Sequence, residues 1–375
     1  MRKLCVILIW SAFTLWLFAC SGPAASTEAD VPTETKAETT APTASSETEA
    51  PTEAAETEPT EGETEMVTID PYEKAEGEVY YVGSRGNASF ISLILDLAGN
   101  ENMKTIFIEE GTYDVFAEYM AEVEAGRLTV PPDDIKSPDY FGTYNAFVPN
   151  RTKIIGVGKV TLTFTPKKDE ITYGASRTWS PLNIYGNVEI ENVEVIGKNC
   201  RYCLHNDDHN KYPGSMQVYR NCRFEYQLSD SDKYGRLLGF NNTVGFGVDN
   251  GSTHLFEDCE IFFNGLGQHS AYYGHNASTP GEASLIVKNC WIHASDESNM
   301  RVIRLQTLSH AEHGHVTARI ENCTVNGSLM LNMYYKDSVQ SFEVTFVNME
   351  IMRIYRTIAA GGTIVDPYEV HQITE

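Results

Sequence analysis

Short apolar segments in the second half of the chain carry polar or titratable residues next to positions that should be buried. Alternate residues of a strand face opposite sides, so Leu204, Val248, Gly274 and Leu305 are aligned as inward positions. The outward positions then form one column of side chains that can bind a polar ligand or transfer a proton. That predicted column consists of His205, Asp249, His275, Gln306 and Asn332.

Glycoside hydrolysis is one chemistry that these residue types could perform. It needs two carboxyl groups with separated pKa values, one to protonate the leaving oxygen and one to activate water or attack. Asp207 and Asp249 are the predicted pair. The predicted substrate contacts are His205, Asn206, Asn250, Tyr273, Asn276, Gln306 and Asn332.

A lyase mechanism is the alternative for the same residues. It needs a cation to neutralise a uronate carboxylate and a base to remove the neighbouring proton. Asp207, Asp208 and Asp249 could bind Ca²⁺ through oxygen ligands, with Arg304 or His275 as the base. Ca²⁺ is therefore a candidate cofactor, and the sequence assigns no other metal site.

A loose repeat that begins near Val188 would position these groups. Each copy has a short strand, an Asn or Asp able to take a bend, and a second short strand with alternating apolar residues. The bend residues are Asn192, Asn221, Asp258, Asn289, Asn322 and Asn348, spaced 29, 37, 31, 33 and 26 residues apart. Such spacing predicts a solenoid in which each copy is one turn and equivalent side chains form columns ~4.8 Å apart.

The residue after each bend is a small or soft apolar group. These residues are Val193, Cys222, Cys259, Cys290, Cys323 and Met349. Because Cys is among the most buried residue types, the column is predicted to face inward. Parallel side-chain vectors give poor disulfide geometry, so we expect free thiols.

The segments before the repeat resemble the opening coils of a known fold. Ala88 to Ala98 has apolar residues at helical spacing, which predicts a helix that caps the core. Residues 104–113 and 151–162 are similar to the first coils of pectate-lyase-like and phage-tailspike-like proteins, with a Gly-Thr-Tyr turn and a later Gly-x-Gly. The resemblance covers about Tyr80 to Ile364 and implies an all-β, right-handed single-stranded parallel β-helix. This fold hosts lyases, hydrolases, esterases and plain binding proteins.

The order of the candidate residues also resembles that of the polygalacturonase family. The matching positions, in chain order, are Asn206-Asp207, Asp249, Gly274-His275 and Arg301 or Arg304. That family expects Asn-x-Asp, an adjacent Asp pair, Gly-His-Gly and Arg-x-Lys. Here Asp249 stands alone, Asn276 replaces a Gly and the Lys is missing. The resemblance implies catalytic roles for four single residues that match the family's order, and not for its complete motifs. These residues are Asp207, Asp249, His275 and Arg304.

The first 65 residues differ in composition from the rest. Residues 1–19 have a basic start and an apolar run, which predicts a signal peptide. The following Cys20 lies in Leu17-Phe18-Ala19-Cys20, which resembles the lipobox of bacterial lipoproteins and implies lipidation of Cys20. Residues 20–65 are mostly Thr, Glu, Ala, Pro and Ser, typical of a disordered stalk. Residues 66–375 are predicted to form the β-helix domain.

Charge narrows the choice of partners. Residues 1–65 hold 12 of the 52 acidic and 3 of the 28 basic residues, which leaves a net charge of −15 on the remainder. Nucleic acid is excluded because phosphate binding needs a basic face, and a polyanionic sugar would need local cations or a metal. The sequence predicts a monomeric lipoprotein on the outer face of the bacterial cell membrane that binds or processes a polysaccharide or cell-surface glycan. The alternative is a non-catalytic glycan-binding or adhesin-like structural protein.

Overall fold

Parallel strands stack upon one another through most of the chain. The computed structural model describes residues 70–135, 144–206, 211–247, 251–266, 269–275, 282–299, 301–307, 313–333, 339–358 and 368–375. The strand ladders in these ranges are parallel and form a 14-stranded and a 7-stranded sheet. Within the same ranges, no helix is both long and apolar enough to cross a membrane.

Three rows of strands make up the coils. The first row contains β1 (Glu78–Val82), β2 (Lys104–Asp114), β3 (Thr152–Phe164), β5 (Val188–Gly197), β7 (Met216–Arg220), β10 (Thr253–Glu257), β13 (Glu282–Lys288), β16 (His313–Glu321), β19 (Val339–Val347) and β21 (Tyr368–Ile373). The second row contains β8 (Arg223–Gln227), β11 (Glu260–Asn264), β14 (Trp291–Ala294) and β17 (Thr324–Asn326). The third row contains β4 (Leu182–Ile184), β6 (Leu204–Asn206), β9 (Val244–Gly247), β12 (Tyr272–His275), β15 (Ile303–Thr307), β18 (Leu329–Met333) and β20 (Ile354–Ile358).

Each coil passes through the three rows in turn before the next coil begins above it. Strands β7, β8 and β9 form one such coil, and β10, β11 and β12 pair with them in parallel as the next. The long strand β5 pairs with both β7 and β8, so it spans the first two rows by itself. This is the predicted right-handed parallel β-helix, since parallel crossovers take that hand.

The bends between the first and second rows confirm the repeat. The six predicted Asn or Asp residues have φ between 49° and 58°, a left-handed conformation that Asn and Asp adopt more readily than other residues with a Cβ. The side chain of Asn221 also donates a hydrogen bond of 2.5 Å to Asn192 Oδ1 on the coil below. This hydrogen bond links the bends of two successive coils.

Three of the four cysteines after the bends form the predicted buried file, whereas the fourth, Cys323, is partly exposed. Cys222, Cys259 and Cys290 are 2–3% exposed, and the described cysteines are free thiols. The backbone N–H of Cys259 donates to Cys290 Sγ at 3.3 Å, and that of Cys290 to Cys323 Sγ at 3.4 Å. Successive coils thus lie directly above one another, as the repeat predicts.

Two helices pack together before the regular coils begin. Helix α1 (Phe90–Asp96) confirms the predicted helical segment and buries four apolar residues. Helix α2 (Val115–Glu124), which the sequence patterns did not reveal, contacts it through Glu118. The Glu118 carboxylate accepts hydrogen bonds from Ser89 Oγ and from the Ile91 N–H at the start of α1. A third helix, α3 (Tyr173–Ser176), is a single turn.

The glycine motifs of the opening coils form bulges, whereas turns were expected there. Strand β2 continues through Gly111 to Asp114, with a register shift against β3 between Glu109 and Gly111. Strand β3 likewise continues past Gly158, where φ is 79°, with a shift against β5. An extra residue in one strand of a pair bends that strand without ending it, so β2 and β3 continue where the sequence predicted turns.

Candidate functional site

The outward side of the third row was predicted to carry the site, and part of its register is confirmed. His275 on β12 pairs with Gln306 on β15, and Gln306 pairs with Asn332 on β18. Gly274 pairs with Leu305, which packs in the hydrophobic core and therefore faces inward as expected. These strands thus place the three predicted polar residues at one register position on successive coils.

His205 does not share that register position. It pairs with Gly245 on β9, and β9 in turn pairs Gly245 with Tyr273. The predicted single column through His205 and His275 is therefore wrong by two residues. The strands of the third row are three to five residues long, and a shift of two preserves the alternation of inward and outward residues, so the sequence pattern could not distinguish the two registers.

His205 and Asn206 are also both buried. His205 is 1% exposed, and its Nδ1 lies 3.1 Å from Asn183 Oδ1. The Nδ2 of Asn183 donates a 3.1 Å hydrogen bond to the hydroxyl of Tyr119 on α2. Asn206 is 1% exposed and pairs with the core residue Phe246. In this structure the two predicted substrate contacts lie inside the protein.

Arg304 lies on strand β15 of the third row, and its side chain is partly exposed. Its guanidinium sits 4.6 Å from the centre of the Tyr273 ring, which belongs to the neighbouring coil. Its Nη2 donates a hydrogen bond to Gln306 Oε1 on the same strand. The stacking and the hydrogen bond together fix the plane of the guanidinium.

Arg301 lies near Arg304, two residues before this strand begins. The buried side chain of Asn299 holds this segment, because its Oδ1 accepts from the Arg301 N–H at 2.7 Å and its Nδ2 donates to the His269 carbonyl at 2.6 Å. Burial and the positive charge of Arg304 lower the pKa of Arg301. Burial and the charge of Arg301 also lower the pKa of His269, which favours its neutral form. We call His269, Tyr273, Arg301, Arg304 and Gln306 the double-arginine site.

Arg301 and Arg304 differ from Arg223 in whether carboxylates neutralise their positive charge. Arg223 on the second row contacts three carboxylates, at 2.6–2.8 Å. Arg301 and Arg304, by contrast, form no ion pair with any carboxylate in the described ranges, and the Nε of each is buried without a hydrogen-bond partner. Adjacent cations that lack a carboxylate partner create a local field that favours a bound anion.

Several predicted site residues lie outside the described residues. These are Asp207, Asp208, Asp249, Asn250 and Asn276, together with Cys20. Strand β9 pairs Gly247 with His275, so Asp249 follows that position by two residues. The carboxyl pair and the Ca²⁺ ligands therefore stay predictions. Within the described ranges, His, Cys, Asp and Glu side chains form no group of three or more that could hold a metal ion.

Two residues of this region were missed by sequence reasoning. Asn299 and His269 lie in the loops that join the second row to the third, and neither belongs to a repeated strand. The signal for Asn299 was present in its spacing, since an Asn two residues before Arg301 can accept its backbone N–H in an Asx turn. No local pattern indicates His269, because Asn299 contacts it across 30 residues of sequence.

The strand pairing defines the class of protein as a parallel β-helix. No protein-family model matches the chain, and no curated protein matches it. Solved structures similar to it include a pectin methylesterase from carrot, with a TM-score of 0.34, 10% identity and coverage of 78% of this chain and 87% of that one. A pectin methylesterase from Erwinia chrysanthemi has a TM-score of 0.28 and 11% identity, with coverage of 78% and 92%. One from Aspergillus niger has a TM-score of 0.33 and 13% identity, with coverage of 78% and 89%.

Proposed function

We propose that this protein binds a carboxylate-bearing polysaccharide at the double-arginine site and presents it to the outward face of the third row. The supporting observation is the pair of guanidiniums, Arg301 and Arg304, which no described carboxylate neutralises. The domain as a whole is strongly acidic, so a polyanionic chain would be repelled from most of its surface. Local cations decide where such a chain can bind.

The chemistry of the site suits a sugar carboxylate. A guanidinium presents its N–H donors in a planar fork that matches the two oxygens of a carboxylate. Stacking on Tyr273 keeps this fork in one orientation before the ligand arrives, which lowers the entropy lost on binding. The Tyr273 ring is half-buried, and its remaining edge can contact the apolar face of a pyranose.

Processing of the bound chain is the second part of the proposal. Asp207, Asp249 and His275 supply the predicted groups for hydrolysis or for lyase chemistry, and the fold also hosts esterases. The test is a panel of plant, host and microbial polysaccharides, assayed for reducing ends, for absorbance of unsaturated products and for released methanol. Reducing ends alone indicate a hydrolase, both of the first two signals a lyase, and methanol alone an esterase. Binding without any product leaves the non-catalytic alternative.

Replacement of Arg304 tests the binding step directly. Arg304→Gln should weaken the binding of an oligogalacturonate about tenfold to hundredfold, because a hydrogen bond to a charged group contributes ~1.5–3 kcal/mol. Arg301→Gln should have an effect of the same size. Isothermal titration calorimetry at low and high salt measures both, and the wild-type affinity should fall as salt rises.

Arg319→Gln is the matched control. Arg319 lies on the first row and pairs with Glu321 and Glu375, so its charge is already balanced. Its replacement should leave oligogalacturonate binding unchanged. If Arg304→Gln and Arg319→Gln bind the acidic oligosaccharide as tightly as the wild type does, the double-arginine site is not the binding site.

A further inference from the structure

A second surface on the helix has the opposite charge and an exposed tryptophan. An open groove of about 630 Å³ follows the bends between the first and second rows. Trp291, on strand β14, lines this groove and is 44% exposed, although most large aromatic residues of the chain are buried. Exposure of a large apolar side chain to water is unfavourable, so an exposed Trp beside a groove indicates a binding surface.

Trp291 is held rigidly by a stack of rings. The His293 ring, two residues along the same strand, lies parallel to it with centroids 3.7 Å apart and an angle of 5°. On its other side, His293 stacks on Phe262 of the coil below at 4.2 Å and 10°. His293 Nε2 is also 2.8 Å from Glu260 Oε1, which fixes the imidazole. One face of Trp291 is thus covered, and its orientation is set before any ligand binds.

The column that leads to Trp291 is rich in carboxylates. Glu194, Arg223, Glu260 and Trp291 pair in register on four successive coils. Arg223 is the only cation among these four, and it contacts Glu194, Glu260 and also Glu225. Asp258 and Lys159 line the groove beside them. Three carboxylates (Glu194, Asp258 and Glu260) and two cations (Lys159 and Arg223) thus line the groove, and the net charge of −1 disfavours an acidic ligand.

We propose that this groove is a second glycan-binding site, with Trp291 as its platform, and that it takes neutral or amino sugars and rejects uronates. The exposed indole offers a flat apolar surface for the C–H face of a pyranose. The carboxylates and the bend amides of Asn221 and Asn289 supply hydrogen-bond acceptors and donors for hydroxyl or amino groups. Coils ~4.8 Å apart repeat at about the length of one sugar residue, so an extended chain can contact several coils. The two sites would then bind different parts of a mixed glycan.

Tryptophan fluorescence of the full chain tests the proposal. The sequence has four tryptophans, of which Trp179 is 1% exposed and Trp10 and Trp16 lie in the N-terminal apolar run. The difference between the spectra of the wild type and of Trp291→Phe therefore isolates Trp291. Titrations use cellohexaose, mannohexaose, the chitosan hexamer and hexagalacturonate as probes.

We expect a neutral or amino-sugar hexamer to shift the Trp291 emission to shorter wavelength, and hexagalacturonate to leave it unchanged. Trp291→Ala should weaken the binding of that hexamer about tenfold or more, as truncation of an aromatic hot spot does. Leu266→Ala is the control, because Leu266 is 77% exposed and does not line the groove. Folding of each variant is checked by circular dichroism.

The outcomes separate this site from the double-arginine site. Arg304→Gln should bind the neutral or amino-sugar hexamer normally, and Trp291→Ala should bind hexagalacturonate normally. The proposal is overturned if none of the neutral or amino-sugar hexamers changes the Trp291 emission, or if hexagalacturonate alone does. If the wild-type protein does not bind hexagalacturonate, the double-arginine site is contradicted, and the proposed site at Trp291 is unaffected.

Discussion

Arg304 shows how a single side chain acquires a role from its surroundings. The sequence pattern marked it as a catalytic candidate because it lies on an outward position near His and Asp residues. Its stacking on Tyr273 and its hydrogen bond to Gln306 fix the plane of the guanidinium, and on that basis we propose that it binds an anion. The residue was predictable from the repeat, but its orientation depends on a tyrosine 31 positions earlier in sequence, which no local pattern specifies.

His205 illustrates the opposite case. It was predicted to face outward, but its side chain is buried against Asn183, which in turn donates a hydrogen bond to Tyr119 on α2. Such packing joins residues more than 60 positions apart, and the sequence pattern reports only the periodicity of one strand. A polar residue on the outer side of a strand can therefore belong to a buried network.

His254 provides a prediction about pH at the level of one residue. It is buried in the core, with Nδ1 3.0 Å from the Tyr272 hydroxyl, and burial lowers its pKa to about 3. Between that value and the ordinary pKa of ~6.5 the unfolded chain binds the proton and the folded chain does not, so stability falls as pH falls through this range. The His254 contribution to the free energy of unfolding should decrease by about 2 kcal/mol from pH 7 to pH 5.

Urea denaturation of His254→Gln at the two pH values measures this effect. The variant should be less stable at pH 7 because of altered packing, but its stability should change less between pH 7 and pH 5 than that of the wild type. Leu266→Ala, a change at an exposed residue that carries no titratable group, should retain the wild-type pH dependence. An unchanged pH dependence in His254→Gln would show that His254 titrates normally.

At the level of elements, the bends were the most predictable feature. A single column of Asn and Asp residues in the sequence corresponds to a single column of left-handed residues in the structure. The prediction succeeded because the bend restricts the residue type by sterics alone. The third row was predicted less well, because its strands are short and the loops before them differ in length from coil to coil.

Asn289 tests the importance of the bend conformation. Its φ is 51°, and its N–H donates to the Glu321 carbonyl on the next coil at 3.0 Å. Asn289→Ala should lower the free energy of unfolding by about 1–2 kcal/mol, because a Cβ without a compensating polar group is strained in this conformation. Asn289→Gly should cost clearly less, since glycine adopts positive φ freely. Equal losses in the two variants would mean that the side-chain contacts, and not the backbone conformation, dominate.

At the level of the whole molecule, the strand ladders run from Glu78 to Ile373, with register shifts at the bulges of β2 and β3. Length and composition alone could not distinguish one elongated domain from two compact ones, whereas the repeat could. The boundaries predicted at residues 19 and 65 rest on composition. From the resemblance of Leu17-Phe18-Ala19-Cys20 to a lipobox, we propose that the protein is a lipid-anchored surface protein.

The proposed anchor can be tested with Cys20. In a bacterial host, the wild-type chain should incorporate an alkyne-labelled fatty acid and sediment with the membrane fraction, since diacylation provides stable anchoring. Cys20→Ser should lose the label and shift to the soluble fraction. Cys5→Ser is the control, because Cys5 lies within the predicted signal peptide. A labelled, membrane-bound Cys20→Ser protein would contradict the lipobox prediction.

Opposite charges on successive coils restrict which coils the protein can gain or lose by insertion or deletion in its sequence. Arg220 and Arg223 belong to one coil, and each contacts glutamates on the coil before and on the coil after it. Excision of that coil would bring Glu191 against Glu257 and Glu194 against Glu260 in register, so that like charges would meet across the new junction. A solenoid of this kind is less modular than its repeat suggests. Along the column of Glu191, Arg220, Glu257, Lys288 and Glu321, gain or loss of coils in pairs preserves the pattern of opposite charges, and gain or loss of one coil does not.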